Sequence, residues 1–345
     1  MLDLPTGVGR YTRDLADALQ TQGVELRKYA VALRGRATPD VKRLRVPARA
    51  ARAMWRSFNW PSIESLVGQI DVVHATNFVL PALKGARGIV TVHDLSFQRD
   101  DVFPGGKALR ELVPWSLGRA AAVITPTNAV KEELCARYDY PSERAFVTHE
   151  GVSPTFFGAT RLSDGVLERM GIPGPYVLAV GTIEPRKNLG MLLQAWGSAR
   201  KVLDGWTLVL AGPEGWGARL PRTEDVVLLG WTGDETLPGL MAAADVFCYP
   251  SLYEGFGLPP LEAMAAGTAC IVGAYPAAEE VLRDAALIVD PREADALTEG
   301  LVRLATDEPL RRSLALQGRA RASTFTWERT AQQTLEAYRS VAGDG

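Results

Sequence analysis

The stretch that decides the fold is Ala244-Asp-Val-Phe-Cys-Tyr249-Pro-Ser-Leu-Tyr-Glu254-Gly-Phe-Gly-Leu-Pro-Pro-Leu-Glu262-Ala-Met-Ala-Ala266. Its first six residues form a largely apolar run that is typical of a buried strand, and its last nine are alanine-rich and favour a helix. Glu254 and Glu262 therefore flank a glycine-containing turn at the carboxyl end of a predicted strand, where open α/β sheets bind ligands. The alternative is a strand–turn–helix joint with two solvated glutamates.

The turn leads directly into the predicted helix start. Two prolines stand in the first helical turn, where a missing N–H is tolerated, and the N–H groups of Phe256, Gly257 and Leu258 can face an anion such as a diphosphate. Glu254 and Glu262 would then accept hydrogen bonds from sugar hydroxyls around that anion, because an ionised carboxylate only accepts.

Apolar runs of strand length alternate with amphipathic stretches of helical length along the chain. The predicted strands are Val24–Val31, Ile70–Ala75, Ile89–His93, Ala121–Thr125, Ala145–His149, Tyr176–Gly181, Thr207–Gly212, Val226–Gly230, Asp245–Tyr249, Cys270–Ala274 and Ala286–Val289. Such alternation favours parallel sheets that are covered by helices on both faces. Eleven strands exceed one comfortable sheet, so the sequence predicts two doubly wound α/β domains.

Turn-forming residues are dense between Gly151 and Pro175, where no strand fits. We therefore predict a first domain over 1–155, a linker over 156–171 and a second domain over 172–325. Only Met1-Leu-Asp-Leu4 precedes the turn at Pro5–Gly9. Since the first strand of a doubly wound domain is usually central, either this strand is shortened or the natural start lies upstream.

The overall composition is that of an ordinary globular protein, with 345 residues, 47% hydrophobic and 23% charged. A net charge of −2 gives no reason to expect a nucleic acid partner. Three cysteines are an odd number and two of them lie in strand-like runs, which favours reduced thiols and a cytoplasmic location. No signal peptide is predicted, and no apolar run is long enough to span a membrane.

Two features of the first predicted domain suggest ligand contacts. Gly7-Val-Gly9 opens a predicted helix, where a Gly-x-Gly turn lets the backbone approach a phosphate closely; the alternative is an ordinary tight turn. The third glycine of a dinucleotide fingerprint would fall at Thr12 and is absent, which disfavours a dehydrogenase. His93 ends an apolar run at the predicted sheet edge, where it can bind a sugar hydroxyl or only cap the strand. The three histidines are scattered, so we predict no metal site.

The segment Gly181-Thr-Ile-Glu-Pro-Arg186-Lys187-Asn188 follows the first strand of the second predicted domain. Arg186 and Lys187 directly precede a predicted helix, with Asn188 as the expected N-cap. Cations at a helix N-terminus oppose the helix dipole, and a bound phosphate would relieve that conflict. A solvated basic pair is the alternative.

The segment Arg34–Trp60 is basic and then aromatic. Its basic and aromatic or sulfur-containing residues are Arg34, Arg36, Lys42, Arg43, Arg45, Arg49, Arg52, Met54, Trp55, Arg56, Phe58 and Trp60. Such a combination suits an anionic membrane surface or an anionic lipid-linked acceptor. The alternative is a solvated helix whose aromatic residues pack on the domain.

Together, these motifs resemble those of the retaining family-4 glycosyltransferases, which have the GT-B fold of two Rossmann-like domains facing a central cleft. The resemblance covers nearly the whole chain and is strongest to the mannosyltransferase-like branch that builds bacterial polysaccharides. The segments that carry it are Thr6–Tyr11, Val92–Ser96, Thr125–Asn128, Gly181–Asn188, Gly230–Trp231, Pro250–Glu262 and Ala285–Pro291.

The resemblance implies roles for residues of the second domain. Arg186 and Lys187 would hold the donor diphosphate and neutralise charge on the leaving nucleotide, without a metal or other cofactor. Glu254 would bind the donor sugar, assisted by the backbone N–H groups of residues 256–258, and Glu262 would bind the ribose.

In the first domain, the resemblance places His93 against the donor sugar, and Gly7 and Gly9 beside the phosphate and acceptor. It also implies that the C-terminal helix, residues 326–345, joins the first domain. The expected donor is a nucleotide diphosphate sugar, GDP-mannose by resemblance to the branch, and the acceptor is a glycan or a lipid-linked glycan.

Two departures from the family concern the donor side. Glu150-Gly-Val152 stands where the family often has Asn-Gly-Val, and Gly273-Ala274 replaces a frequent Ser-Asp. Two other functions fit the same architecture, namely a nucleotide-sugar epimerase and a non-catalytic sugar-nucleotide binding protein.

Overall fold

The structure is a computed structural model that describes residues 7–33, 39–99, 105–216, 220–221, 223 and 225–343. The chain forms two compact units. The first runs to Gly151 and includes the residues from Trp327 onward, and the second is Val152–Thr326. Residues 156–171, which we predicted as a linker, belong to the second unit because Phe156 and Leu167 are buried in its core.

The second unit contains one sheet of six parallel strands. These are β7 (Tyr176–Val180), β8 (Thr207–Ala211), β9 (Val226–Gly230), β10 (Val246–Tyr249), β11 (Ala269–Gly273) and β12 (Leu287–Val289). Their order is β12-β11-β10-β7-β8-β9, so the chain runs outward from β7 on one side and from β10 on the other. The β7/β10 boundary is therefore the topological switch point of the sheet.

Helices cover both faces of this sheet. They are α6 (Pro154–Phe157), α7 (Asp164–Arg169), α8 (Leu189–Ala199), α9 (Leu237–Ala243), α10 (Leu258–Ala265), α11 (Pro276–Leu282), α12 (Ala294–Thr306) and α13 (Glu308–Ala322). Along β7, Tyr176 and Leu178 pack into one hydrophobic cluster while Val177 and Ala179 pack into another. Because successive side chains of a strand point to opposite faces, the sheet has a core on each side.

The first unit contains two separate parallel sheets. Its strands are β1 (Lys28–Val31), β2 (Val41–Leu44), β3 (Val72–Ala75), β4 (Arg87–Thr91), β5 (Ala122–Thr125) and β6 (Ala145–Val147). β1 pairs with β2, and the remaining four form a sheet in the order β3-β4-β5-β6. A cavity of about 740 Å³ lies between β1 and β3 and is lined by every residue of both strands. The first strand expected around Met1–Leu4 lies outside the described residues.

The helices of the first unit are α1 (Gly7–Thr21), α2 (Ala48–Phe58), α3 (Ile63–Val67), α4 (Gly106–Leu117), α5 (Asn128–Tyr138) and α14 (Trp327–Ala342). The C-terminal helix α14 packs against α1, with Trp327 and Ala331 in one cluster with Tyr11 and Leu15. The predicted fold class, two α/β units with parallel sheets, is confirmed.

Candidate active site

Two loops meet at the switch point of the second unit. One follows β7 and carries Arg186 and Lys187, and the other follows β10 and carries Glu254. β7 and β10 are paired in parallel, so both loops leave the same edge of the sheet. The backbone N–H of Leu252 donates to the carbonyl of Arg186 at 2.9 Å. Ligands of doubly wound folds bind at this position, which makes it the candidate active site.

The centre of the site is the Glu254 carboxylate, which holds both predicted cations. Lys187 Nζ lies 2.8 Å from Glu254 Oε1, and Arg186 Nη1 pairs with Oε2 of the same carboxylate. Lys187 also donates to the Tyr249 hydroxyl at 2.5 Å, and Arg186 Nη2 donates to Glu184 Oε1 at 2.7 Å. Five ionisable side chains thus form one connected network.

The network is buried, and its members perturb each other. Burial alone would raise the pKa of Glu254, but Arg186 and Lys187 outweigh it and lower the pKa to about 2, so the carboxylate is ionised. Burial lowers the pKa of Lys187, although Glu254 opposes that change. Burial also raises the pKa of Glu184 against the pull of both cations. A buried group with such partners in a ligand-binding position is a candidate for function.

Two glycines of these loops stand where a side chain would meet another residue of the site. Gly257 has a φ of +94°, and a Cβ built there would lie 2.4 Å from the Tyr275 hydroxyl oxygen. Gly181 has a φ of +151°, and a Cβ there would lie 3.2 Å from Cε of Lys187. A side chain at Gly257 would therefore require the buried Tyr275 to move.

The predicted anion site lies at the N-terminus of α10, which begins at Leu258. Gly257 is its N-cap residue, and no side chain caps it. Because the first N–H groups of an α-helix have no acceptor within the helix, the N–H of Leu258 faces outward from the first turn. Phe256 and Glu262 are buried, with relative exposures of 4% each. Their predicted contacts with the donor remain predictions.

We predicted that Asn188 caps α8. Its side chain makes no capping hydrogen bond to the helix. The residue occupies the N-cap position with a φ of +56°, but its Nδ2 donates to the carbonyl of Pro291 at 2.6 Å. The two cations before α8 are neutralised by Glu184 and Glu254. The protein itself therefore offsets the unfavourable helix dipole at this position.

The other predicted site residues lie in the first unit. Gly7 and Gly9 stand in the first turns of α1. His93 follows β4, with Nε2 2.9 Å from the carbonyl oxygen of Thr76 and Nδ1 3.1 Å from Glu150 Oε1. The roles of these three residues toward the donor and acceptor remain predictions.

Sequence reasoning missed four polar residues that contact or adjoin these groups, namely Glu184, Tyr249, Tyr275 and Glu150. Glu184 and Tyr249 had a usable signal, because each lies at or just after the carboxyl end of a predicted strand, where sites form. Tyr275 and Glu150 had the same signal, because each comes directly after a predicted strand, but the side chains that they contact depend on packing between distant segments.

Two features are absent from the described residues. No group of three or more His, Cys, Asp or Glu side chains there is arranged to hold a metal ion. In the same part of the chain, no helix is both long enough and apolar enough to cross a membrane.

Known families match both units of the chain. A family described as Glycosyltransferase Family 4 matches residues 5–156, and one described as Glycosyl transferases group 1 matches residues 172–321. The O-antigen chain mannosyltransferase B of Escherichia coli is 33% identical over 286 residues, which cover 78% of this chain and 74% of the relative. The chain belongs to the family-4 glycosyltransferases.

A further relative and a solved structure that resemble this glycosyltransferase agree with its membership of the family. The enzyme is 28% identical over 378 aligned residues to the phosphatidyl-myo-inositol mannosyltransferase of Mycobacterium leprae, covering 99% of this chain and 95% of the relative. The solved structure of HepE from Anabaena, in complex with UDP and glucose, has a TM-score of 0.73 at 17% identity and covers 96% of each chain. The predicted family, GT-B fold and enzyme class are confirmed.

Proposed function

We propose that this glycosyltransferase transfers mannose from GDP-mannose to a glycan or lipid-linked acceptor, with retention, in polysaccharide or glycoconjugate biosynthesis. The observation that carries the proposal is the buried network of Arg186, Lys187 and Glu254 at the switch point of the second unit. Two relatives are mannosyltransferases by name, one of the O-antigen chain and one of phosphatidyl-myo-inositol, and they support the choice of sugar.

The charges of the network suit a diphosphate. Arg186 and Lys187 carry two positive charges, and Glu184 and Glu254 carry up to two negative charges. When the donor binds, the cations exchange part of their carboxylate contacts for oxygens of the diphosphate, which carries two negative charges and suits the fork of Arg186 and the ammonium group of Lys187. The same two cations stabilise the negative charge that develops on the leaving GDP. We propose that transfer therefore requires no added metal ion or cofactor.

We propose the remaining donor contacts at and around the start of α10. Glu254, released in part from the cations, accepts hydrogen bonds from mannose hydroxyls, and Glu262 binds the ribose of the nucleotide. The N–H groups of residues 256–258, at the start of α10, face the diphosphate. HepE, which shares the fold, binds UDP and glucose and supports a nucleotide in this role.

The surface around α2 supports a membrane-linked acceptor. Phe58 and Trp60 are 78% and 63% exposed, and Arg49 is exposed on the same helix. Trp55, which we grouped with these aromatic residues, is buried and donates to the Pro61 carbonyl at 3.1 Å. Arg34 and Arg36 of the predicted segment lie outside the described residues. We term the exposed surface at and beside α2, which includes Arg49, Phe58 and Trp60, the α2 surface. We propose that it makes peripheral contact with the cytoplasmic face of an anionic membrane.

The test combines donor binding with transfer. Thermal shift with GDP, UDP, dTDP and ADP should give the largest stabilisation with GDP, because a ligand that binds the native state raises its stability. Transfer of radiolabelled mannose from GDP-mannose to a membrane lipid extract should fall at least about 100-fold in Glu254→Gln and Lys187→Met. Glu299→Gln, an exposed change on α12, should keep full activity, and circular dichroism should show that all three variants are folded.

Three outcomes would contradict the proposal. Turnover at the wild-type level in Glu254→Gln or Lys187→Met would remove the network from catalysis. Conversion of GDP-mannose to an isomeric sugar nucleotide without acceptor would indicate an epimerase. Tight donor binding with neither reaction would indicate a binding protein.

A further inference from the structure

Three strand ends of the first unit bring a buried histidine and a buried glutamate together. Thr76 follows β3, His93 follows β4 and Glu150 follows β6, all at the carboxyl edge of the four-stranded sheet. The His93 and Glu150 side chains are only 11% and 9% exposed. The ring of Tyr11 is perpendicular to the His93 ring, with the ring centroids 4.7 Å apart, so the imidazole is held by ring packing as well as at both nitrogens.

The two partners of His93 determine its protonation. The Thr76 carbonyl, 2.9 Å from Nε2, can only accept, so Nε2 carries a proton. Nδ1 lies 3.1 Å from Glu150 Oε1. In a neutral ring, Nδ1 would then carry a lone pair, and that lone pair would point at the Glu150 carboxylate oxygen. The two would repel each other. One further proton therefore lies between Nδ1 and the Glu150 carboxylate, and this hydrogen bond favours the protonated ring.

The groups around His93 also favour its protonated state. Burial opposes a positive charge on His93, but the hydrogen bond and charge of Glu150, with smaller contributions from Thr76 and Asp94, outweigh it and raise the pKa of His93. The nearby His74 stays neutral because burial lowers its pKa to about 3. Tyr11 also stays neutral because burial raises the pKa of its phenol.

We propose that Glu150 is a positioning residue for glycosyl transfer, which holds His93 as a fixed imidazolium at the carboxyl edge of the first unit. Both N–H groups of this ring are already donated to the protein. His93 therefore acts on an anionic substrate, a sugar diphosphate or an anionic acceptor, through its positive charge and fixed shape and not as a proton carrier. This inference rests on the proposed transfer reaction for its effect on rate, but the state of the His93–Glu150 pair is measurable without it.

The first measurement is an NMR titration of the histidine rings. The chain has three histidines, and a His93→Asn variant assigns the His93 signals. In the wild type, His93 should titrate above its ordinary value of 6.5. In Glu150→Gln, which keeps the acceptor oxygen and removes the charge, the His93 titration should move below that of the wild type by about one pH unit or more. Glu132→Gln, exposed on α5, should leave it unchanged.

The second measurement is the pH profile of kcat/KM for mannose transfer. The alkaline limb should move to lower pH in Glu150→Gln, with a loss of about tenfold near pH 8 that shrinks as the pH falls below the His93 titration of the variant. Glu150→Asp, which keeps the charge, should recover part of the activity at the higher pH. An unchanged His93 titration, or a shifted titration with an unchanged alkaline limb, would overturn the proposal. Failure of the wild type to transfer mannose would instead contradict the proposed function, and the NMR titration would still report on the pair.

Discussion

Gly257 shows how a single backbone position shapes the candidate active site. Its φ of +94° is in the region that favours glycine, and the Tyr275 hydroxyl would lie 2.4 Å from a Cβ at this position. Tyr275 is buried, with a relative exposure of 4%, so it has little room to move away. The turn between Glu254 and α10 thus depends on both conformational freedom and the missing side chain.

We predict that Gly257→Ala destabilises the protein and weakens donor binding. The left-handed conformation alone costs an alanine about 1–2 kcal/mol, and the contact with Tyr275 adds to this cost. Gly267→Ala is the matched control, because Gly267 has a similar φ of +89° with open space around its Cβ position. Urea unfolding should show a larger loss for Gly257→Ala, and only this variant should reduce the thermal shift with GDP. Equal losses of stability in the two variants would show that the contact with Tyr275 has no energetic effect.

At the residue scale, the sequence predicted the participants of the site better than their contacts. Arg186, Lys187 and Glu254 were predicted from their positions after strands, and the structure brings them together. Their mutual pairing was not predicted, because it depends on the parallel pairing of β7 with β10, which are separated by more than sixty residues. The Tyr275–Gly257 approach has the same origin. Contacts between distant segments leave no local pattern in a single sequence.

At the scale of elements, the short helix α3 is tied to the turn before β4 by one carboxylate. Glu64 Oε1 accepts backbone N–H groups from Lys84, Gly85 and Ala86 at 2.8, 2.9 and 3.0 Å. Burial alone would raise the pKa of Glu64, but these hydrogen bonds lower it to about 2. A five-residue helix has little stability of its own, so this link helps to fix α3 to the turn that leads into β4.

We predict that Glu64→Gln lowers the free energy of unfolding by about 1–3 kcal/mol at neutral pH, because hydrogen bonds to a charged acceptor are stronger than those to an amide. The pKa of Glu64 is lower in the folded state than its ordinary 4.5. The stabilisation is therefore complete above pH 4.5 and is lost as the pH falls toward 2. Urea unfolding at several pH values should show the difference between wild type and variant shrinking over this window. A difference that is independent of pH, or an equal effect of the exposed change Glu143→Gln, would contradict the assignment.

The sequence predicted most elements because glycine, proline and capping residues mark their ends. α10 was predicted to begin at Leu258, where the structure begins it, and the C-terminal helix predicted over residues 326–345 is α14, Trp327–Ala342. β2 was missed because Val41-Lys-Arg-Leu44 lacks the alternating or fully apolar pattern of a strand. Its conformation is set by pairing with β1, and the separation of these two strands from the four-stranded sheet could not be read from local composition.

At the scale of the whole molecule, the distribution of charge is more informative than its sum. The net charge of −2 conceals the basic character of the α2 surface. Arg45 and Arg49 are exposed near the start of α2 and Phe58 and Trp60 near its end, whereas Arg56 is paired with Glu111 at 2.8 Å. Basic side chains beside exposed aromatic rings are typical of proteins that bind anionic membrane surfaces.

We predict that the α2 surface binds phosphatidylglycerol vesicles and that binding weakens as salt is added, because screening shortens the range of charge attraction. Each basic residue near such a surface contributes about 1 kcal/mol, so Arg45→Ser with Arg49→Ser should weaken vesicle binding by about tenfold or more in sedimentation assays. Phe58→Ser with Trp60→Ser should weaken it further, since these rings insert at the interface. Leu316→Ser, which removes a 73% exposed apolar side chain of α13 in the second unit, is the matched control and should bind like the wild type. Equal binding of all these proteins, or equal binding to phosphatidylcholine vesicles, would remove the α2 surface from membrane contact and leave the acceptor to be recognised by its glycan alone.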